Sequence, residues 1–336
     1  MSDWNTRLKA DPSAWLLSEE NPSIRYFALR DLCGLPETAT EVVAAREAIQ
    51  RSDVVQQMLA HMDTQAYRKN WPGFYTRKYE GLVWSLIVLA ELGATPNALI
   101  REQCEYLLSH SQEHTEGGFA QHEAVKTGGG RQTEVIPCLS GNMVWSLIRL
   151  GYLDDPRVQQ GIDWLTTFMC LNDGVALNPQ AERYGYYDAC WGTHTCHMGV
   201  VKALKAYSAI PKEKRSAKVE TAIAEAAEFM LIHHVFKQSH NLNRVSKPGW
   251  RKFGFPLMYQ TDVLEILDIL TELGYRDPRM AEAIELMLGK QDEQGRWALE
   301  NTYANTRLLV PFGVEGQPDK WITLRAMRVY KRYTQG

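Results

Sequence analysis

Apolar residues in the segment 259–297 follow two helical patterns in succession. In residues 263–273 they cover most of a helix's circumference, which predicts a helix that is buried on more than one side. Gly274 suits a left-handed cap, and Pro278 prevents the helix from continuing. In residues 280–288 the apolar residues lie on one face only. The pattern therefore predicts an inner helix, a tight turn and an amphipathic outer helix.

The same succession of apolar helix, Gly or Pro turn and amphipathic helix recurs along the chain. It is found in residues 29–43, 89–103, 148–162 and 204–219, with a period of roughly 60 residues. A sixth apolar helix, residues 322–333, falls one period after the turn of the segment 259–297. Repeated hairpins must stack to bury their apolar faces, either as an open solenoid or as a closed ring.

Inner helices that are apolar on both sides favour the closed ring. The predicted fold is all-α, an (α/α)6 toroid in which six inner helices surround a lumen and the outer helices lie outside them. An open solenoid is the rival architecture, because residues 21–32 resemble a HEAT-type helix. We expect one domain, 1–336, in which residues 1–20 form a helical segment that supplies the last outer helix and closes the ring.

Composition narrows the range of partners and locations. The 336 residues are 45% hydrophobic, with a net charge of −3 and a pI near 6.3, so nothing attracts the chain generally to nucleic acid. No apolar run approaches the roughly 20 residues of a membrane span, and the first residues lack the apolar core of a signal peptide. Six scattered cysteines do not resemble a disulfide framework. We expect a cytoplasmic protein with free thiols; the sequence does not indicate its oligomeric state.

The connections between helices differ in length. Inner-to-outer turns are short, whereas the outer-to-inner loops are long and aromatic: residues 71–80, 116–137, 172–188 and 237–259. In a ring of hairpins all connections of one type emerge on one rim, and long loops in a compact domain are usually functional. This long-loop rim is the predicted working face.

The densest group of chemically active residues is Asp188–His197. Cys190, His194 and His197 are spaced i, i+4 and i+7, so a helix that begins near Ala189 would place them on one stripe. Thiolate and imidazole are ligands that zinc prefers, and three protein ligands with an open position are typical of catalytic zinc. Asp188 is a candidate ligand or a partner that orients a histidine. The alternative is that these are packing residues.

The hairpin repeat and the QDEQGRW string of residues 291–297 resemble the α/α toroid of squalene–hopene cyclases, other terpenoid cyclases and protein prenyltransferase β subunits. The string is similar to the Gln/Trp repeat of the cyclases. The resemblance implies a prenyltransferase-like or terpene-cyclase-like activity on an isoprenoid-like substrate. Toroids also serve lanthipeptide cyclases and polysaccharide lyases, so the fold alone does not give the chemistry.

The resemblance also bears on zinc. Prenyltransferase β subunits bind zinc through Asp-x-Cys followed by an aromatic residue, and through a His in a His-Thr-Cys string on a later hairpin. Residues 188–191 and 194–196 are similar, but they lie in one stretch, which departs from the family pattern. Residues 196–199 are also similar to the Cys-His zinc ligands of lanthipeptide cyclases. His240 or Cys138 is an alternative source of the remaining ligand.

Aromatic and basic residues cluster on the same rim. The candidate substrate-binding residues are Tyr79, Trp191, Arg244, Trp250 and Phe255. Aromatic faces suit an isoprenoid chain and stabilise a carbocation, and convergent Arg and Lys side chains bind a diphosphate or carboxylate. We expect a concave apolar lumen that opens toward Tyr79, Trp191, Phe255 and Tyr259. Loop packing and ordinary solvation are the alternative roles.

Acidic residues form a stripe on the predicted inner helix that follows residue 262. Asp262 and Glu265 have the spacing of a capping box, and Asp268 and Glu272 continue the stripe. An acid that faces the lumen could protonate an alkene, but the Asp-x-Asp-Asp motif of the cyclases is absent, so we expect capping and solvation here. The candidate catalytic residues are Asp188, His194, Tyr259 and Asp262.

Three functions are compatible with these patterns. The first is an enzyme with its site at the long-loop rim, which acts on an isoprenoid-like or other apolar substrate with or without zinc. The second is a non-catalytic toroid that binds a partner or a lipid. The third is a polysaccharide lyase or hydrolase that uses Tyr, His and Arg of the rim.

Overall fold

Helices make up nearly all of the regular secondary structure. The computed structural model describes residues 7–174, 178–185, 187–302 and 307–335. The earlier α-helices are α1 (Ser13–Leu16), α2 (Pro22–Phe27), α3 (Thr40–Arg51), α4 (Asp53–Met62), α5 (Gln65–Arg68), α6 (Leu82–Leu92), α7 (Ala98–His110) and α8 (Pro137–Leu147). The later ones are α9 (Pro156–Phe168), α10 (Ala181–Tyr184), α11 (Asp188–Trp191), α12 (His197–Ser208), α13 (Ala217–Ile232), α14 (Val263–Glu272), α15 (Ala281–Leu288) and α16 (Lys320–Thr334).

The remaining regular structure is short. One antiparallel hairpin joins β1 (Lys237–Gln238) to β2 (Asn241–Val245). π-helical turns extend α2 and α8, and 3₁₀ turns occur in the connections: Ala28–Leu32, Ile148–Tyr152, Trp71–Gly73, Gln132–Glu134, Lys212–Lys214, Pro248–Arg251 and Pro278–Met280. The chain is therefore all-α, as predicted. None of the described helices is both long and apolar enough to cross a membrane.

The predicted hairpins are present. α2 packs against α3, α6 against α7, α8 against α9, α12 against α13 and α14 against α15. Glycines end the inner helices of four of these hairpins with a left-handed backbone, at φ values of 71°, 74°, 84° and 90° for Gly34, Gly93, Gly151 and Gly274. Glycine adopts this conformation without steric cost, which is why it ends so many helices.

The inner helices contact one another in series. α16 packs against α2 and α14, α14 against α12, α12 against α8, and α8 against α6. Phe27, at the end of α2, lies 3.3 Å from where a Cβ on Gly93 would stand, just after α6. Contacts between helices thus connect α2, α16, α14, α12, α8 and α6 in series, and Phe27 brings the end of α2 close to the end of α6.

The closest helix pair is α8 with α12. A Cβ built on Gly141 would lie 2.5 Å from the carbonyl carbon of Lys202 and 2.8 Å from the backbone nitrogen of Ala203. Real Cβ atoms do not approach backbone atoms this closely, so the absence of a side chain at position 141 lets the two helices touch along their backbones.

Charged side chains occupy the space between the inner helices, where the sequence predicts an apolar lumen. Glu265 accepts from Lys202 at 2.7 and 2.8 Å and from Lys205 at 3.1 Å. Lys205 also donates to Glu91 at 2.5 Å, and Arg325 donates to the same carboxylate at 3.0 Å. We call these five residues the ionic core. The prediction of an apolar lumen is wrong here, because charges on four helices pair across it.

Mutual pairing keeps the two carboxylates of the ionic core ionised. Burial alone would raise the pKa of Glu265, but Lys202, Lys205 and Arg325 lower it to about 2. The pKa of Glu91 is likewise lowered to about 2, since Lys205 and Arg325 outweigh its burial. Burial lowers the pKa of Lys202 to about 8 in spite of its contact with Glu265.

One of the two hydrogen bonds of the predicted capping box is present. The Asp262 Oδ1 accepts from the Glu265 backbone N–H at 2.8 Å, and Oδ2 accepts from Gly254 N–H at 2.8 Å, so Asp262 caps α14 as predicted. The Glu265 side chain does not return to residue 262, because it belongs to the ionic core. Only 3% of its surface is exposed, so the expectation that this residue is solvated is wrong.

The N-terminal segment lies against the last helices. Arg7 forms a bidentate pair with Glu285 on α15 at 2.7 Å, and the Lys9 backbone N–H donates to Gln291 at 2.7 Å. α1 packs against α16. The described part of residues 1–20 holds one helix of a single turn, and residues 1–6 lie outside the described chain, so the ring-closing role of this segment stays a prediction.

Candidate functional site

A cavity of about 600 Å³ lies where all four long loops meet the first residues of α8 and α12. Each loop supplies part of the wall: Tyr75, Ile136, Tyr187 and Trp250 stand in the four loops in chain order. Its volume falls in the usual range for small-molecule sites. The wall also holds the reactive side chains of the region: Cys138, Asp173, Cys190, His194, Cys196, His197, His233, Ser239, His240 and Lys247.

The chain between α11 and α12 is not helical. The Thr195 Oγ1 donates to the Cys170 carbonyl at 2.7 Å and accepts from the Asn172 N–H at 2.6 Å. The Thr195 N–H donates to the Asn172 carbonyl at 2.8 Å. These bonds, with a bridge between Asp173 and His194, hold residues 194–196 beside the preceding loop in a non-helical conformation. The predicted continuous helix from Ala189 is therefore wrong, and Cys190 and His194 do not share a helical face.

Three thiols line one part of the wall. Cys196 is the N-cap residue of α12, and the backbone amides of Gly199 and Met198 in the first turn of that helix help to lower the pKa of its thiol. Cys190 donates to the same sulfur, which lowers the pKa of Cys196 to about 6 and raises that of Cys190. Burial raises the pKa of the neighbouring Cys138 to about 12. The arrangement favours one thiolate, at the helix N-terminus, with two thiols beside it.

Two imidazoles and a carboxylate line the next part of the wall. The His233 Nδ1 lies 2.7 Å from the Phe229 carbonyl, and its Nε2 lies 3.3 Å from Asp173. Ser239 also donates to Asp173. The His197 ring lies with its centre 4.4 Å from that of His233. Burial, followed by the influence of His233, lowers the pKa of His197 to about 4, so this side chain is neutral and only weakly basic near pH 7.

Two tyrosines near the cavity have polar partners. Lys78 donates to the Tyr259 hydroxyl at 2.6 Å, and Gln260 donates to the Tyr79 hydroxyl at 2.7 Å. Tyr259 lines the cavity, whereas Tyr79 lies behind it against Trp84.

The cavity gathers some of the predicted site residues and leaves others elsewhere. Cys190, His194, His197, Trp250 and Tyr259 line its wall. Asp188 is exposed at the start of α11, and Arg244 is exposed on β2; neither lines the cavity.

The remaining predicted residues are structural in their contacts. Trp191 is buried, stacks on Tyr184 and donates to the Val135 carbonyl at 3.0 Å. Phe255 is buried and stacks on Trp321 with 4.3 Å between ring centres. Asp262 is buried under α14, where burial raises its pKa to about 7. Trp191, Phe255 and Asp262 therefore do not face the cavity.

The zinc site stays a prediction. Among the residues that the structure describes, no three or more His, Cys, Asp or Glu side chains are grouped so that they could hold a metal ion. Of the predicted ligands, Cys190, His194 and His197 line the cavity and Asp188 does not, and Cys138 and Cys196 line the same wall.

Sequence reasoning missed Asp173 and His233. These residues are far apart in the chain, and each follows or precedes a helix in a segment without a recognisable motif. The two side chains meet only because the loops that carry them fold against each other, so residue spacing in the sequence could not predict the pair.

Comparison with solved structures finds chains of similar fold. No protein-family model matches the chain, and no curated protein matches it in sequence. A variant of the type II terpene cyclase MstE from Scytonema, solved in complex with its substrate geranylgeranyl dihydroxybenzoate, is similar over 94% of this chain and 87% of that chain. The two share 15% sequence identity, with a TM-score of 0.41. No residue of the site is assigned from this likeness.

Proposed function

We propose that the chain is an α/α toroid that works as an enzyme on an elongated, apolar, isoprenoid-like substrate. The series of contacts among the six inner helices, with the end of α2 close to the end of α6, supports a closed ring over an open solenoid, since a solenoid would leave its first and last inner helices apart. The long-loop cavity is then the active site at one rim of that ring.

The observation that carries the proposal is the composition of the cavity wall. Aromatic and aliphatic side chains, among them Tyr75, Ile136 and Trp250, form a surface that suits an apolar chain. The thiol of Cys196 and the imidazole of His197 stand together at the start of α12 in the same wall. The Cys196 thiolate beside an apolar slot fits an attack on C1 of a bound prenyl diphosphate, in which a C–S bond forms while the C1–O bond breaks and diphosphate leaves.

Binding and turnover of prenyl compounds test the proposal. We expect farnesyl and geranylgeranyl diphosphates, or the corresponding alcohols, to bind saturably in calorimetric titrations. Ala189 is exposed and lines the cavity, so Ala189→Trp should obstruct it and weaken binding at least tenfold. Thr193→Trp changes an exposed residue of the same segment that does not line the cavity, and should leave binding within twofold.

Turnover distinguishes the enzyme from the lipid-binding alternative. Conversion of a bound prenyl compound, lost in Cys196→Ser with binding retained, would support the enzyme. Saturable binding with no conversion would overturn the catalytic part and favour a lipid carrier, and failure of all apolar ligands to bind would overturn the whole proposal.

Metal analysis tests the separate zinc prediction. Stoichiometric zinc in protein purified without chelators, lost in Cys190→Ala with little loss of folding, would bear it out. Absence of metal would leave Cys196 as a free thiolate and would not affect the proposed apolar site.

A further inference from the structure

A second depression opens at the other end of the inner helices. α8 begins beside the long-loop cavity with Cys138, and the chain that continues from its last turn carries Arg149, which lines the depression. α12 likewise begins with His197 in the cavity and ends with Ser208 in the depression. At about 1.5 Å per residue, a helix of this length separates the two sites by about 18 Å.

Charged side chains dominate the lining of this depression. The carboxylates are Asp31, Glu91, Glu265, Asp268 and Glu272, and the cations are Arg30, Arg149, Lys205, Arg325, Arg328 and Arg332. The cations are in excess, and several carboxylates are already shared between two of them. Asp31, for example, lies 2.6 Å from both Arg30 and Arg328.

Arg149 is the cation that these pairings leave over. Within the described part of the chain it has no ion pair or hydrogen bond. Its guanidinium carbon lies over the Phe27 ring, 5.7 Å from the ring centre. The side chain is exposed to water at the mouth of the depression. Confinement among protein atoms and the positive charge of Arg30 lower the pKa of Arg149, as expected for a cation that is short of negative partners.

The size of the depression selects a small ligand. Its volume is about 90 Å³, well below the roughly 300–1,000 Å³ of pockets for larger ligands. An apolar chain does not fit, whereas a tetrahedral oxyanion does. Guanidinium groups present N–H donors in a planar fork that matches the oxygens of phosphate.

We propose that this depression binds a phosphate group, either inorganic phosphate or the phosphate of a small phosphomonoester, with Arg149 as its principal contact and Arg30 beside it. The proposal is independent of the long-loop cavity, because it rests on residues at the opposite ends of the helices.

Calorimetric titration of the full chain with inorganic phosphate tests the proposal, with chloride at matched ionic strength as the reference salt. Arg149→Gln should weaken phosphate binding about tenfold or more, because a hydrogen-bonded charge pair contributes about 1.5–3 kcal/mol and about 1.4 kcal/mol corresponds to tenfold. Arg46→Gln removes the same charge from an exposed position on α3 outside the depression, and should leave the affinity within twofold.

Glu272→Gln should change the phosphate affinity in the opposite direction. Its side chain is 45% exposed at the mouth and lies 4.0 Å from Arg332, so removal of the negative charge should strengthen phosphate binding several-fold without disturbing the core. Tighter binding of glycerol phosphate than of inorganic phosphate would identify a phosphomonoester, and equal or weaker binding would identify inorganic phosphate. Absence of saturable binding, or equal affinities in all variants, would overturn the proposal.

Discussion

The backbone of α8 at Gly141 lies directly against the backbone of α12 at Lys202, with room for a hydrogen atom and not for a methyl group. This contact holds Lys202 where its ammonium group meets Glu265. The pair α8 and α12 also carries both proposed sites, one at each end, so the fit at Gly141 fixes the spacing of the residues that matter for binding.

Gly141→Ala should destabilise the protein by about 1–3 kcal/mol, since overpacking forces backbone shifts of that cost. The methyl group would stand 2.5 Å from the Lys202 carbonyl carbon and push the helices apart. Gly249→Ala is the matched control, because a Cβ at position 249 meets nothing within 4 Å. Denaturant unfolding of the two variants measures the difference, and equal stabilities would contradict the close contact.

Glu265→Gln should cost about 3–5 kcal/mol of unfolding free energy, because loss of one partner leaves buried charges unpaired. Lys202 and Lys205 would then face a neutral amide inside the ionic core. Glu225→Gln, at an exposed position on α13, should change stability by less than about 0.5 kcal/mol. A loss below 1 kcal/mol in Glu265→Gln would mean that water reaches the ionic core.

Stability should fall as the pH decreases from about 5 to about 2. The pKa of Glu265 and of Glu91 is lowered from 4.5 to about 2 in the folded chain. The unfolded chain therefore binds more protons between these values, so the stabilisation is complete above the unfolded pKa and is lost as the pH falls through the folded one. Denaturant unfolding at a series of pH values measures this slope. It should be shallower in Glu265→Gln; an unchanged slope would assign the acid sensitivity to other groups.

Cys196 should react with iodoacetamide faster than the other cysteines near neutral pH. Its pKa is lowered to about 6, above all by the hydrogen bond from Cys190, so its reaction rate should reach half of its plateau near pH 6. Mass spectrometric mapping of chelator-treated protein measures the rate at each site. In Cys190→Ala the midpoint should move to higher pH, and a midpoint that stays in place would mean that Cys190 does not donate to Cys196.

Local sequence patterns were sufficient to predict the helical hairpins. Gly93 and Gly274 end helices because of their own backbone freedom, and the apolar periodicity on either side needs no distant partner. The Asp262 cap could be predicted for the same reason, since its acceptor and donor lie three residues apart.

Features that depend on distant residues could not be predicted. Glu265 is buried because Lys202, 63 residues away, neutralises it. The helix predicted from Ala189 breaks because Thr195 bonds to the loop at Cys170, 25 residues earlier. Nothing in either local sequence records these partners, so the apolar lumen and the helical stripe of ligands were natural but incorrect inferences.

The ionic core has a consequence for how the repeats depend on one another. Its charges come from α6, α12 and α14, in three different hairpins, and from α16. No hairpin carries the partners of its own buried charges, so an array with one hairpin unfolded would hold unpaired ions in its interior. Linear repeat proteins lose their units piecemeal because each unit contacts only its neighbours. In this chain, loss of one helix would leave charges unpaired on the others, so the hairpins should unfold in a single cooperative transition.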